Sequence, residues 1–136
     1  MNKSIRNKAY AGTEFFTCDF NGQDWLTNTY FAEPDTTEPR ITTETKRRNT
    51  NGQKPLLGKI VDIDKHELSL MTTGKTETTV SLTCSTKSNT IQRRYFDYFT
   101  NRFPKAEFKT GVELRYEPIS VYNEDQLIGI IMPLKD

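Results

Sequence analysis

The chain contains a single histidine, His66, so any nucleophile–histidine–acid relay would have to run through it. It stands in the segment Asp62-Ile63-Asp64-Lys65-His66-Glu67, a polar turn between two apolar runs. Nothing in the sequence places a serine or cysteine beside it in a cleft, and an exposed turn accounts for it. Asp62, Asp64 and Glu67 are oxygen donors of the type that hard cations take, but no glycine shapes the segment into a binding loop. The two cysteines, Cys18 and Cys84, are far apart and lack CxxC spacing, which leaves a single disulfide open and gives no metal signature. Neither GxGxxG nor GxxxxGK occurs. The expectation is a protein without catalytic residues, metal or cofactor.

Two other groupings point to recognition. Lys46-Arg47-Arg48, with Arg40 and Lys54 nearby, could follow a phosphate backbone. Against that, Glu33, Asp35, Glu38 and Glu44 lie in the same stretch, and 19 basic residues against 18 acidic ones leave a net charge of only +1. The second grouping is RRYFDYF, where Tyr95, Phe96 and Tyr98 accompany Arg93 and Arg94. Its aromatic content exceeds what one buried stripe needs, and tyrosine, phenylalanine and arginine are enriched at interface centres. A protein partner, or a second copy of the chain, is therefore expected there, with nucleic-acid binding as the alternative.

The elements that must position these groups are mostly strands. The chain has 136 residues, the size of one domain, and 20 of them are threonine, a β-branched type suited to strands and hydroxyl-bonded turns. Only 34% are hydrophobic, but 15 of those are aromatic, so the core is built from few, large side chains. Glu14 to Phe20 and Trp25 to Ala32 read as a hairpin across Asn21-Gly22. Residues 33–54 form a long polar loop with Ile41 as their one apolar anchor. Leu56–Ile63, ELSLM and TETTVSLT read as a three-stranded meander, with turns at Asp64-Lys65-His66 and at Thr72-Thr73-Gly74-Lys75.

One helix is predicted over about 90–103. Ile91, Tyr95, Tyr98 and Phe99 form its core stripe, Asn89 and Gln92 a capping box, and Pro104 its stop. Further strands follow at Ala106/Phe108, Val112/Leu114/Tyr116 and Ile119/Val121. After a turn at Asn123-Glu124-Asp125, the run Leu127 to Met132 is apolar on both faces, as in a central strand. The fold class is α+β: antiparallel sheet with one core-packed helix. The amino-terminal MNKSIRNKAYAG has no apolar signal core, and no run reaches membrane-spanning length, so a cytoplasmic protein is expected.

The carboxy-terminal part, from RRYFDYF to the closing QLIGIIMPLK, resembles small phage-encoded proteins and the last domain of bacterial DNA sliding clamps. The matching residues are Tyr95, Phe96, Ile128, Met132 and Pro133, and WLTNTYFAEP is similar to a strand of the same phage proteins. The resemblance implies a phage or mobile-element origin and a non-enzymatic accessory role, with a host replication or defence factor as partner.

Overall fold

The computed structural model describes residues 8–9, 11–12, 15–20, 23–34, 47–49, 68–111 and 117–134, with the backbone alone at 15–20 and 47–49. Alternation of side chains sets the strands. Val80 and Leu82 are buried while Thr79, Ser81 and Thr83 between them face the other way, and Asn89 and Ile91 repeat the pattern one strand further on. Among the described residues ten strands result: β1 (Phe15–Phe20), β2 (Gln23–Thr27), β3 (Phe31–Pro34), β4 (Arg47–Asn49), β5 (Leu68–Lys75), β6 (Thr79–Thr83), β7 (Ser88–Gln92), β8 (Glu107–Thr110), β9 (Ile119–Asn123) and β10 (Gln126–Ile131). The one helix whose two ends are described is α1 (Arg93–Arg102), between β7 and β8.

The strands are hydrogen-bonded in the order β4-β1-β2-β3-β10-β9-β8-β5-β6-β7, all antiparallel except the β1–β4 pair. β5 belongs to two ladders. Leu68–Leu70 pair with β8, and Met71–Lys75 pair with β6, with a bulge between Thr72 and Gly74. Past β10, the Met132 amide donates to the Tyr30 carbonyl (2.8 Å) and the Leu134 amide to the Thr90 carbonyl (2.7 Å). The last strand of the order, β7, is thus tied back to the chain just beyond β10, and the sheet wraps around α1. The fold is α+β, an antiparallel sheet with one helix packed in its core.

Helix and sheet meet through aromatic rings. Phe31 on β3 stacks on Tyr95 (centroids 4.5 Å apart) and meets Tyr98 and Phe99 edge-on at 5.8 and 5.9 Å. Ile119 and Val121 of β9 and Ile128 and Ile131 of β10 complete this side of the core. On the opposite face, Trp25, Ala32 and Ile130 are also buried, so β10 is covered on both sides, as its two apolar faces require.

Several boundaries differ from the sequence reading, each for a local reason. WLTNTYFA is two strands, because Asn28 makes a turn: its side-chain oxygen accepts the amides of Tyr30 and Phe31 (3.0 Å each). Thr29 there takes a positive φ of 76°. Thr72–Lys75 is not a turn but the bulged half of β5. The reversal comes at Thr76–Thr78, where the Thr76 hydroxyl accepts the amides of Thr78 and Thr79. Asn89 and Gln92 form no capping box. Asn89 is buried in β7, and Gln92 precedes the helix without a side-chain cap. Asn89–Gln92 pair with β6 as a strand and the Arg93 amide donates to the Thr78 carbonyl (2.8 Å), so the helix begins at Arg93. In the polar stretch 33–54, Glu33 and Pro34 end β3 and Arg47–Asn49 form β4; the rest of it lies outside the described residues, as do Leu56–Ile63 and Val112/Leu114/Tyr116. The Asn123–Asp125 turn forms as expected, with Glu124 and Asp125 at φ 50° and 66°, the left-handed pair of a tight hairpin.

Gly129 is where α1 sits closest to the sheet. A Cβ built on it would collide with Cζ of Phe99, a ring with no exposed surface. We expect Gly129→Ala to destabilise the fold by about 1–3 kcal/mol in urea unfolding, the cost of overpacking a filled core. Phe99→Leu added to it should recover part of that loss, because it removes the colliding atoms.

Candidate partner-binding site

Tyr95 and Tyr98 of α1 do not form a docking surface. Tyr95, Phe96 and Tyr98 are all buried, against Phe31 or, for Phe96, stacked on Phe108 at 5.2 Å. The surplus ring is consumed by β8, whose approach to the helix the sequence does not reveal. Arg93 and Arg94 stay nearer the surface but have local work. Arg93 pairs with Asp97 one turn on (3.4 Å) and donates to the Thr76 carbonyl (2.8 Å). Arg94 donates to the Ala11 carbonyl (2.8 Å) and lies over the Tyr95 ring.

Two tyrosine hydroxyls anchor the helix to β3 and the turn before it. Tyr98 donates to Oε1 of Glu33 (2.6 Å), and Nη1 of Arg102 donates to both that oxygen (3.1 Å) and the Tyr98 hydroxyl (2.6 Å). Glu33 is 1% exposed and Arg102 18%, so the pair is largely shielded from water. The sequence reading placed Glu33 among solvated loop acids. The available signal was its alternation with Phe31, which turns both inward. Removing Arg102 leaves a buried carboxylate short of its cation, and Arg102→Met should cost about 3 kcal/mol in urea unfolding. Glu33→Gln in the same chain should restore part of that.

The other hydroxyl, on Tyr95, accepts a hydrogen bond from the Asn28 amide nitrogen (3.0 Å). Burial raises its pKa above the ordinary 10.0, and the Asn28 bond opposes that rise only in part. An unfolded tyrosine ionises near pH 10 while the folded one keeps its proton. Stability from this group is therefore complete below about pH 10 and is lost as pH climbs toward the raised folded value. The urea midpoint should fall above about pH 10, and Tyr95→Phe should make that fall shallower.

The remaining candidate groups are separated. Cys84 is a free thiol in the β6–β7 turn, its pKa lowered chiefly by the Thr86 hydroxyl 3.5 Å away, with burial opposing. Lys87 of the same turn bonds the Gly111 carbonyl and lies 3.5 Å from Glu117, which ties this turn to the chain between β8 and β9. Among the described residues no three histidine, cysteine or acidic side chains gather as a metal site, and no helix is long and apolar enough to cross a membrane. His66, Asp62, Asp64 and Glu67 lie outside the described residues, as do Arg40, Lys46 and Lys54, while Arg47 and Arg48 belong to β4 at one end of the strand order.

A recognition geometry among the described residues is found at β5. β8 starts at Glu107 and accompanies β5 only through Leu70, so among the described residues Met71–Lys75 have β6 on one side and no strand on the other. A cleft of about 410 Å³ fills the place where β8 would have continued, walled by Thr72, Ala106 and Glu107 and floored by Leu70, Phe96 and Phe108. Met71, between the lining residues Leu70 and Thr72 and on the other face of β5, is 73% exposed. Lys75 extends over the Phe96 ring, 5.1 Å from Nζ to its centre. Beyond the cleft, the outward side chains of β6 and β7 (Thr79, Ser81 and Thr83; Ser88, Thr90 and Gln92) carry no charge, and the hydroxyls of Thr73, Thr83 and Ser88 bond in a row at 2.9 and 3.3 Å. No protein-family model, curated protein or solved structure matches this chain.

Proposed function

We propose that this protein is a non-enzymatic accessory protein that acts through protein–protein contacts made at β5. One observation carries the reading: β5 leaves β8 after Leu70, which opens an aromatic-floored cleft beside an exposed methionine. Interface centres are enriched in aromatic residues and methionine, and the cleft floor carries Phe96 and Phe108 with Met71 exposed on the same strand and an uncharged sheet face next to it. The resemblance carried by Tyr95, Phe96, Ile128, Met132 and Pro133 adds a phage or mobile-element setting, in which the partner is a host replication or defence factor or a second copy.

The test is affinity capture from bacterial lysate with the wild-type chain and with Met71→Asp, alongside light scattering of each. A protein recovered reciprocally with the wild type, and lost with Met71→Asp at unchanged urea midpoint, is the expected result. A strictly monomeric chain that recovers no partner, or recovers one equally with both forms, overturns it.

A second reading draws on β4, which puts consecutive Arg47 and Arg48 at one end of the strand order, within a basic group that includes Arg40, Lys46 and Lys54. It makes the chain a nucleic-acid-binding module of small-barrel or clamp-like type. The protein-contact reading expects no gel shift of single-stranded or duplex DNA at about 50 mM salt. A shift that disappears in the Lys46→Ala/Arg47→Ala/Arg48→Ala variant would replace it.

A further inference from the structure

We infer that the occupant of the β5 cleft is an extended segment of another protein, added to the sheet as a strand alongside Thr72–Lys75, with an apolar side chain on the cleft floor and a carboxylate facing Lys75. The inference rests on the protein-contact reading and specifies the chemistry of the partner. Three features of the edge select this occupant over a helix or a small molecule.

The first is the backbone. Among the described residues, the second half of β5 has a ladder only on its β6 side, and a row of peptide groups on a strand edge is satisfied best by another extended chain. Over Thr72–Lys75 that row runs about 13 Å, room for a short strand. The bulge between Thr72 and Gly74 twists this edge, which discourages indiscriminate stacking of flat strands and favours a short, shaped segment.

The second is the floor. Because β8 stops at Glu107, the stacked Phe96 and Phe108 rings form the bottom of a cavity directly beside the edge. Successive side chains of an added strand alternate in direction, so every second residue faces those rings and the intervening ones point away. An aliphatic or aromatic residue in the inward position completes the packing that a longer β8 would have supplied.

The third is charge. Lys75 holds its ammonium over the Phe96 ring, and no carboxylate lies within ion-pair distance of it among the described residues. Glu107, the acid on the opposite wall, is turned toward Lys109 at 4.0 Å, and Lys109 also lies over Tyr122. Among the described residues Lys75 is therefore a cation at the cleft with no acidic partner, next to an apolar floor. An acidic residue or a free carboxy terminus on the added segment complements it.

A displayed library of random short peptides, selected on the full chain, tests this directly, with affinities of enriched peptides then measured by fluorescence anisotropy. The expected winners combine an apolar residue with an acidic one. A single N-methyl group should weaken them about tenfold at alternate amides and leave the intervening ones unaffected, a period-two pattern that only strand pairing produces. Lys75→Glu should remove the acidic preference. Thr72→Tyr, which fills the cleft from its wall, should also weaken binding about tenfold, with the urea midpoint of each variant as the control for folding. The inference is overturned if the selection yields nothing above the support alone, if binding ignores N-methylation and both variants, or if Thr72→Tyr instead abolishes a concentration-dependent dimer, which would make a second copy the occupant. Should the peptides fail while Met71→Asp still loses a captured protein, strand addition falls and the protein-contact reading stands; failure of both removes both.

Discussion

The seat of Phe99 over Gly129 sets the distance between helix and sheet, and the rest of the core is arranged around it. With any side chain at position 129, α1 could not approach β10 this closely. Phe31 would then lose its stack on Tyr95 and its edge contacts with Tyr98 and Phe99. Burying an aromatic side chain contributes about 1.5–3 kcal/mol, so four rings gathered at one point carry a large share of a marginal stability. In a chain only 34% hydrophobic, that concentration supplements the aliphatic side chains of the same core, among them Val80, Leu82, Ile91, Ile119 and Val121.

Polar groups then fix the rotation of the helix on this seat. An apolar stripe alone tolerates slippage, because one ring can substitute for the next. The buried Glu33 admits only a position in which the Tyr98 hydroxyl and the Arg102 guanidinium, one turn apart, reach the same carboxylate oxygen. Asn28 imposes a similar condition on Tyr95 while its other end shapes the turn into β3. The turn that ends β2 and the face that α1 buries are thus specified by one side chain.

Much of this was legible in the sequence, in a particular way. Fold class, the central character of Leu127–Met132 and the Asn123–Asp125 turn follow from patterns local to a few residues, and they appear where expected. The helix stripe Tyr95, Tyr98 and Phe99 was legible for the same reason, yet its start was not. Asn89–Gln92 suits a cap and a strand equally, and only pairing with β6, a distant partner in the folding decision, chooses between them. Phe96 shows the limit most clearly. Its excess over one stripe looked like a surface, but whether a ring is exposed depends on what arrives from elsewhere, here Phe108 on β8. The cleft had no sequence signal, since it is defined by where β8 stops relative to β5.

The same dependence links the core to the surface proposed for recognition. Phe96 lies on the helix that Phe99 seats and that Glu33 holds in rotation, so the height and tilt of the cleft floor are set from the far side of α1. Its other floor ring, Phe108, belongs to β8, and β8 is held in register by β9 and β10 through the tight turn at Glu124 and Asp125. The β5 half that flanks the cleft instead takes its position from β6 and β7, the part of the sheet tied back at Leu134. The cleft is therefore bounded by two ladders that share only one strand, which passes from the first to the second between Leu70 and Met71, just before the bulge at Thr72–Gly74. An apolar floor beside a strand edge is the arrangement that the proposed addition of an extended chain requires.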